Sequence, residues 1–232
     1  MALGSVSFTL GGADRITFAV YSADDGSLNF YKRMDVPETG DTFEDKTVTN
    51  VYTGFEEHTY DKIGYTQDVP DNERWSVMKT NVPWFDIRDK VTTVKVIDSG
   101  VAPKSIKYWF YRFSNLKNAD LSNLEVSRIT SIHYLFVLSA NLTSIKMPGL
   151  TGTCTDYKDS FSSCPELTSL EMPTCDFSNC NDFYHMFNDS KKTEARLLRL
   201  ERSGKCRSRA LQLQCSWRDS SEAVATDRFC RV

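Results

Sequence analysis

A phenylalanine recurs at nearly constant spacing through the middle of this 232-residue chain. Phe110, Phe136, Phe161 and Phe187 are separated by 26, 25 and 26 residues. Six residues after each of the first three stands a leucine: Leu116, Leu142 and Leu167. From there the pattern L-x-x-L-x-L reads three times, as Leu116/Ala119/Leu121, Leu142/Ile145/Met147 and Leu167/Leu170/Met172. The second and third copies almost coincide, "NLTSIKMPGL" at 141–150 and "ELTSLEMPTC" at 166–175. A unit this short cannot bury its apolar face alone, so neighbouring copies must stack and cover one another.

L-x-x-L-x-L at a period of 20–29 residues is the pattern of a leucine-rich-repeat solenoid, with one short strand per rung. Alternate strand residues point to opposite faces. Ile145 and Met147 are therefore expected inward, with Ser144 and Lys146 outward. The four phenylalanines are expected to form one interior column. Pro148 and Pro173 lack an N–H and end the strands. The asparagine or cysteine expected eight residues after the first leucine is Leu124, Leu150 and Cys175, so the usual asparagine ladder is missing.

The stretches before each phenylalanine also recur: "RITSIHYLF", "CTDYKDSF" and "CNDFYHMF". Together with F-x-x-C-x-x-L-T-S-L they resemble the BspA-like leucine-rich-repeat surface proteins of bacteria. The segments "FAVYSADDGSLNFYKR" (18–33) and "TTVKVIDSGVAPKSIKYWFYRFSNLKNAD" (92–120) look like the entry that precedes the repeats in that family, so the resemblance covers roughly residues 16–190. It implies a cell-surface or secreted, non-enzymatic adhesion or binding module whose partner is protein or glycan. In that architecture the strand face is the interaction surface. The residues expected on it are Asn118, Asp120, Ser122, Ser144, Lys146, Ser169 and Glu171.

The flanks divide the chain further. Residues 1–100 read as a β-rich cap. "ITFAVYSADDGSLNFYK" is two β-branched and aromatic runs joined by Asp-Asp-Gly, a hairpin signal. "DTFEDKTVTNVYTGF" adds a strand or hairpin, residues 64–85 read as loop, and "KVTTVKVID" (90–98) alternates as a strand. Residues 101–190 form the repeat region. Beyond it Thr193 stands where the repeat needs leucine, and residues 191–232 hold 11 Lys/Arg against 5 Asp/Glu. Three readings of this basic tail stand: an out-of-frame or degenerate end, a short helical cap with a basic tail, or a nucleic-acid or anionic-surface arm. The expected fold class is thus α+β, mostly β: a solenoid of 3–4 rungs closed by a β-rich N-terminal cap.

Composition bounds the function. A 40% apolar and 25% charged chain reads as globular, and a net charge of −3 gives no reason to expect nucleic acid. No apolar run is long enough for membrane insertion. The start "MALGSVSFTLGG" carries no signal-peptide pattern, which leaves cytoplasm or virion beside the cell surface as expected locations. The alternative function is accordingly a structural fibre or decoration protein of a bacteriophage. No phosphate-loop, zincin or nucleophile-elbow motif occurs, so no enzyme and no cofactor are expected. His58, His133 and His185 lie far apart, and no metal site is expected. Cys154 and Cys180 occupy equivalent repeat positions 26 residues apart. At the spacing of adjacent strands they are either disulfide-bonded or buried free thiols.

Overall fold

The structure is a computed structural model, which describes residues 14–63 and 78–190 except 151, 174, 176 and 178. The basic segment 191–232 and residues 64–77 of the expected loop lie outside the described residues.

Ile16–Ser22 (β1) and Ser27–Arg33 (β2) form the hairpin signalled by Asp-Asp-Gly, in register from Ile16↔Arg33 to Ser22↔Ser27. Gly26 turns the corner with φ +71°, a left-handed conformation that favours glycine. Thr42–Phe43 (β3) and Lys46–Thr47 (β4) make a small hairpin, and Asn50–Thr53 (β5) pairs with β1. Lys62–Ile63 (β6) pairs with Lys79–Thr80 (β7), a strand within the stretch read as loop. Thr93–Val96 (β8) follows, then one short strand per repeat: Asn118–Asp120 (β9), Ser144–Lys146 (β10) and Ser169–Glu171 (β11). β10 and β11 stop immediately before their Met-Pro pairs.

The expected fold class is overturned. An α+β chain, with a short solenoid closed by a separate β-rich cap, is not what forms. The described residues hold no α-helix, only two three-residue 3-10 turns, Phe55–Glu57 and Phe85–Ile87. The strands assemble into one seven-stranded mixed sheet of order β11-β10-β9-β8-β2-β1-β5, beside two two-stranded sheets. Two physical reasons account for this. Strand β8 pairs in parallel with β2 on one side and β9 on the other, so N-terminal hairpin and repeats share one sheet. And the segments between repeat strands carry left-handed residues at two fixed positions per repeat. Tyr108, Tyr134, Asp159 and His185 lie two residues before the phenylalanines, and Arg112, Leu138, Ser163 and Asp189 two after, all with φ between 53° and 62°. Such residues interrupt any right-handed helix.

One hydrophobic core runs from Ala19 to Phe187. Its spine is the phenylalanine column, with ring centroids 5.2 Å apart for Phe110–Phe136, 6.0 Å for Phe136–Phe161 and 5.3 Å for Phe161–Phe187. At the N-terminal end, Phe30 stacks on Trp109 at 5.2 Å and meets Trp84 edge-on at 5.1 Å. The Trp84 indole N–H donates to the Trp109 carbonyl at 2.8 Å. Each fully buried ring of this kind contributes about 1.5–3 kcal/mol by leaving water. A second, smaller cluster lies on the other face of the hairpin. There Phe18, Val20, Tyr31 and Val48 are buried, with Phe43 packed against them.

Candidate binding face

Strands β2, β8, β9, β10 and β11 run parallel and in register, so equivalent residues line up straight across the sheet. The inward row is Leu28, Val94, Ala119, Ile145 and Leu170, packed in or against the core. Two rows point outward. The first is Ser27, Thr93, Asn118, Ser144 and Ser169, all hydroxyl or amide. The second is Asn29, Lys95, Asp120, Lys146 and Glu171. Steps between neighbouring strands are about 4.8 Å, so each row is a straight array about 19 Å long.

The rows line a shallow open groove of about 440 Å³, whose margin includes Lys46 and Ile97. Of the residues expected on the strand face, Asn118, Asp120, Ser144 and Lys146 line this groove. Ser169 and Glu171 continue both rows on β11. Ser122 lies in the turn after β9, where its backbone N–H and its hydroxyl both donate to Asp120 Oδ1, at 3.2 and 2.6 Å. That fixes the carboxylate. The Ser144 hydroxyl donates to Asn118 Oδ1 at 2.7 Å, and Lys146 Nζ lies 3.9 Å from Glu171 Oε2. Lys46 pairs with Asp25 at 2.8 Å. Burial pulls the Asp25 carboxyl up, but hydrogen bonds from Lys46 and Ser27 outweigh it and hold it below the ordinary carboxylate range.

The contribution of β2 and β8 to this face was missed from sequence. A signal existed for β8: "VTTVKV" at 91–96 matches "LTSIKM" at 142–147, with Thr and Lys in the same places. Val91 lies six residues after Phe85 and 25 before Leu116, which carries the register one copy upstream. Valines in place of leucines hid it.

An asparagine ladder also exists, one residue before the leucine rather than eight after it. The Asn115 amide donates to the Asp89 carbonyl at 2.6 Å and Asn141 to the Ser114 carbonyl at 2.7 Å. A threonine column runs beside it: Thr92 donates to Asp25 O, Thr143 to Lys117 O and Thr168 to Thr143 O, at 2.9, 2.9 and 3.2 Å. These bonds satisfy backbone carbonyls and hold the strands at one height.

The other singled-out residues lie in the segments connecting the strands. His133 Nδ1 stands 3.6 Å from Asp156 Oδ2, and His185 Nδ1 3.7 Å from Asp159 Oδ1, each pair crossing between adjacent repeats. Burial raises the Asp159 carboxyl above its ordinary range. At Asp156 burial acts the same way, but hydrogen bonds from His133, Ser131 and the Lys158 N–H prevail and lower it. Cys154 and Cys180 are buried and not bonded to each other, and their thiols donate to the Asp156 and Thr155 carbonyls at 4.0 and 3.3 Å. Among the described residues no three His, Cys, Asp or Glu converge as metal ligands, and no helix is long and apolar enough to cross a membrane.

Searches against protein-family models, curated proteins and solved structures return no match to this chain.

Proposed function

We propose that this chain is a non-enzymatic binding or adhesion module that recognises protein or glycan through the outer face of β8–β11. The observation that carries the reading is the pair of straight outward rows. Their spacing is set by an in-register parallel ladder, not by mobile loops. A face held by its own backbone loses little conformational freedom on binding, which favours affinity at a given area. Its groups are hydroxyls, amides, ammonium and carboxylates, so it recognises by hydrogen bonding and ion pairing. The BspA-like resemblance supports the same use of the strand face.

Reversing Lys146 and Glu171 together (Lys146→Glu with Glu171→Lys) tests this. Both side chains are more than half exposed, and an exposed pair is worth about 0–1 kcal/mol, so the variant keeps its fold. Binding to immobilised glycans and to cell-surface proteins is expected to fall in the double variant at unchanged thermal midpoint. Undiminished binding places the site elsewhere.

A further inference from the structure

We propose that the partner of this face is a second copy of the chain, related by a two-fold axis that runs along the strands between β9 and β10. This rests on the outer face being the binding face, and it names the occupant.

The argument is the order of charge in the second outward row. Lys95, Asp120, Lys146 and Glu171 alternate in sign across four adjacent strands. Read in reverse, the stripe has every sign inverted. A symmetric dimer presents the same patch from both subunits, reversed by the axis. With the axis along the strands, each row faces the same row of the other copy in opposite strand order. Lys95 then faces the partner's Glu171, and Asp120 faces the partner's Lys146. Symmetry repeats both pairs, so all four charges on each subunit meet an opposite one. The uncharged row meets itself the same way, with Asn118 against the partner's Ser144. Turning the axis across the strands destroys this, because the charged row then lies against hydroxyls.

The extent of open sheet agrees. Phe43 and Val48 pack over Phe18, Val20 and Tyr31, covering the outer face of the β1–β2 hairpin. Among the described residues, the outer face of the four strands that carry the stripe is open, with Lys95, Lys146 and Glu171 exposed. An interface of this kind associates through charge and hydrogen bonds, so salt screens it.

Sedimentation equilibrium of the full chain at low and high salt reads the association directly. A dimer is expected at low salt and its dissociation at high salt. Lys95→Glu alone and Glu171→Lys alone are each expected to weaken the dimer about tenfold or more, since each breaks two symmetry-related pairs. The two substitutions together restore it. Lys95 and Glu171 sit three strands apart, about 14 Å within one chain, so mutual rescue reports contact between chains. Thermal melts of each variant separate lost association from lost fold. A wild-type chain monomeric at both salt levels overturns the proposal, as do single variants that dimerise normally or a double variant that does not recover. If the chain stays monomeric while Lys146→Glu with Glu171→Lys still loses glycan binding, self-association fails and the binding-face reading stands.

Discussion

Cys164 illustrates what the repeat demands of single residues. Three residues after Phe136, Phe161 and Phe187 stands a small donor that reaches back to the carbonyl of the preceding phenylalanine. Ser139 donates to Phe110 O at 2.9 Å, Cys164 to Phe136 O at 3.1 Å and Ser190 to Phe161 O at 2.6 Å. These carbonyls are buried, and leaving one unpaired costs about 1–3 kcal/mol. Burial also pushes the Cys164 thiol up from 9.0 to about 12. With the folded value raised, the stabilising contribution is complete below 9.0 and is lost as pH climbs toward about 12, because the unfolded chain ionises first. Cys164→Ser keeps the donor and removes the ionisation. Its thermal midpoint is expected to fall less between neutral pH and about pH 11 than that of the parent chain. An identical alkaline decline would show that the thiol does not contribute. Tyr52 and Tyr111, both raised by burial, preserve part of the decline in either protein. In the neighbouring column, Phe136→Ala or Phe161→Ala removes a fully buried ring and is expected to cost about 3–5 kcal/mol by chemical denaturation. A variant of unchanged stability would put that ring outside the core.

At the scale of elements, the β1–β2 hairpin depends on the residue at its corner. Gly26 adopts φ +71°, and a Cβ there would lie 2.9 Å from both the Lys90 carbonyl and the Thr92 hydroxyl. The Gly26 carbonyl accepts the Thr92 N–H at 2.8 Å, so this turn also aligns β8 against β2. Gly26→Ala is expected to destabilise by about 1–3 kcal/mol, from the left-handed backbone and the backbone contact together. A shift in the denaturation midpoint measures it, and none would mean that the turn relaxes freely. The connecting segments are built differently. Ser105, Ser131, Asp156 and Asp182 each accept the backbone N–H two residues on, at 3.3, 3.1, 3.0 and 2.8 Å. Side chains that cap their own backbone in this way supply the turns that a helix would otherwise provide.

Over the whole molecule, the hairpin and the repeats are joined twice, by β8 within the sheet and by the Phe30–Trp84–Trp109–Phe110 cluster within the core. The two joins couple residues that lie far apart in the chain, and neither half buries its aromatic face without the other. Unfolding is therefore expected as one transition, with tryptophan emission and far-ultraviolet circular dichroism giving coincident midpoints. Two separated midpoints would show that residues before and after position 100 fold independently.

The period, the interior phenylalanine column, the ends of β10 and β11 at Met-Pro and the outward positions of Ser144 and Lys146 were legible from the residues alone. Each follows from local rules: alternation along a strand, proline's missing donor, and the need of a short apolar unit for a neighbour. Tertiary structure decided the rest. Parallel pairing of β2 with β8 joins Ser27 to Thr93, 66 residues away, through backbone groups common to every residue type. No side-chain pattern announces such a pair. The fusion of hairpin and repeats into one sheet and the extension of both outward rows onto Ser27 and Asn29 arise from it, while the pairing of β8 with β9 carries the rows onto Thr93 and Lys95 and completes the alternating order of charge across four strands. A charge has a local signature, but its neighbour across a sheet is set by which backbones hydrogen-bond.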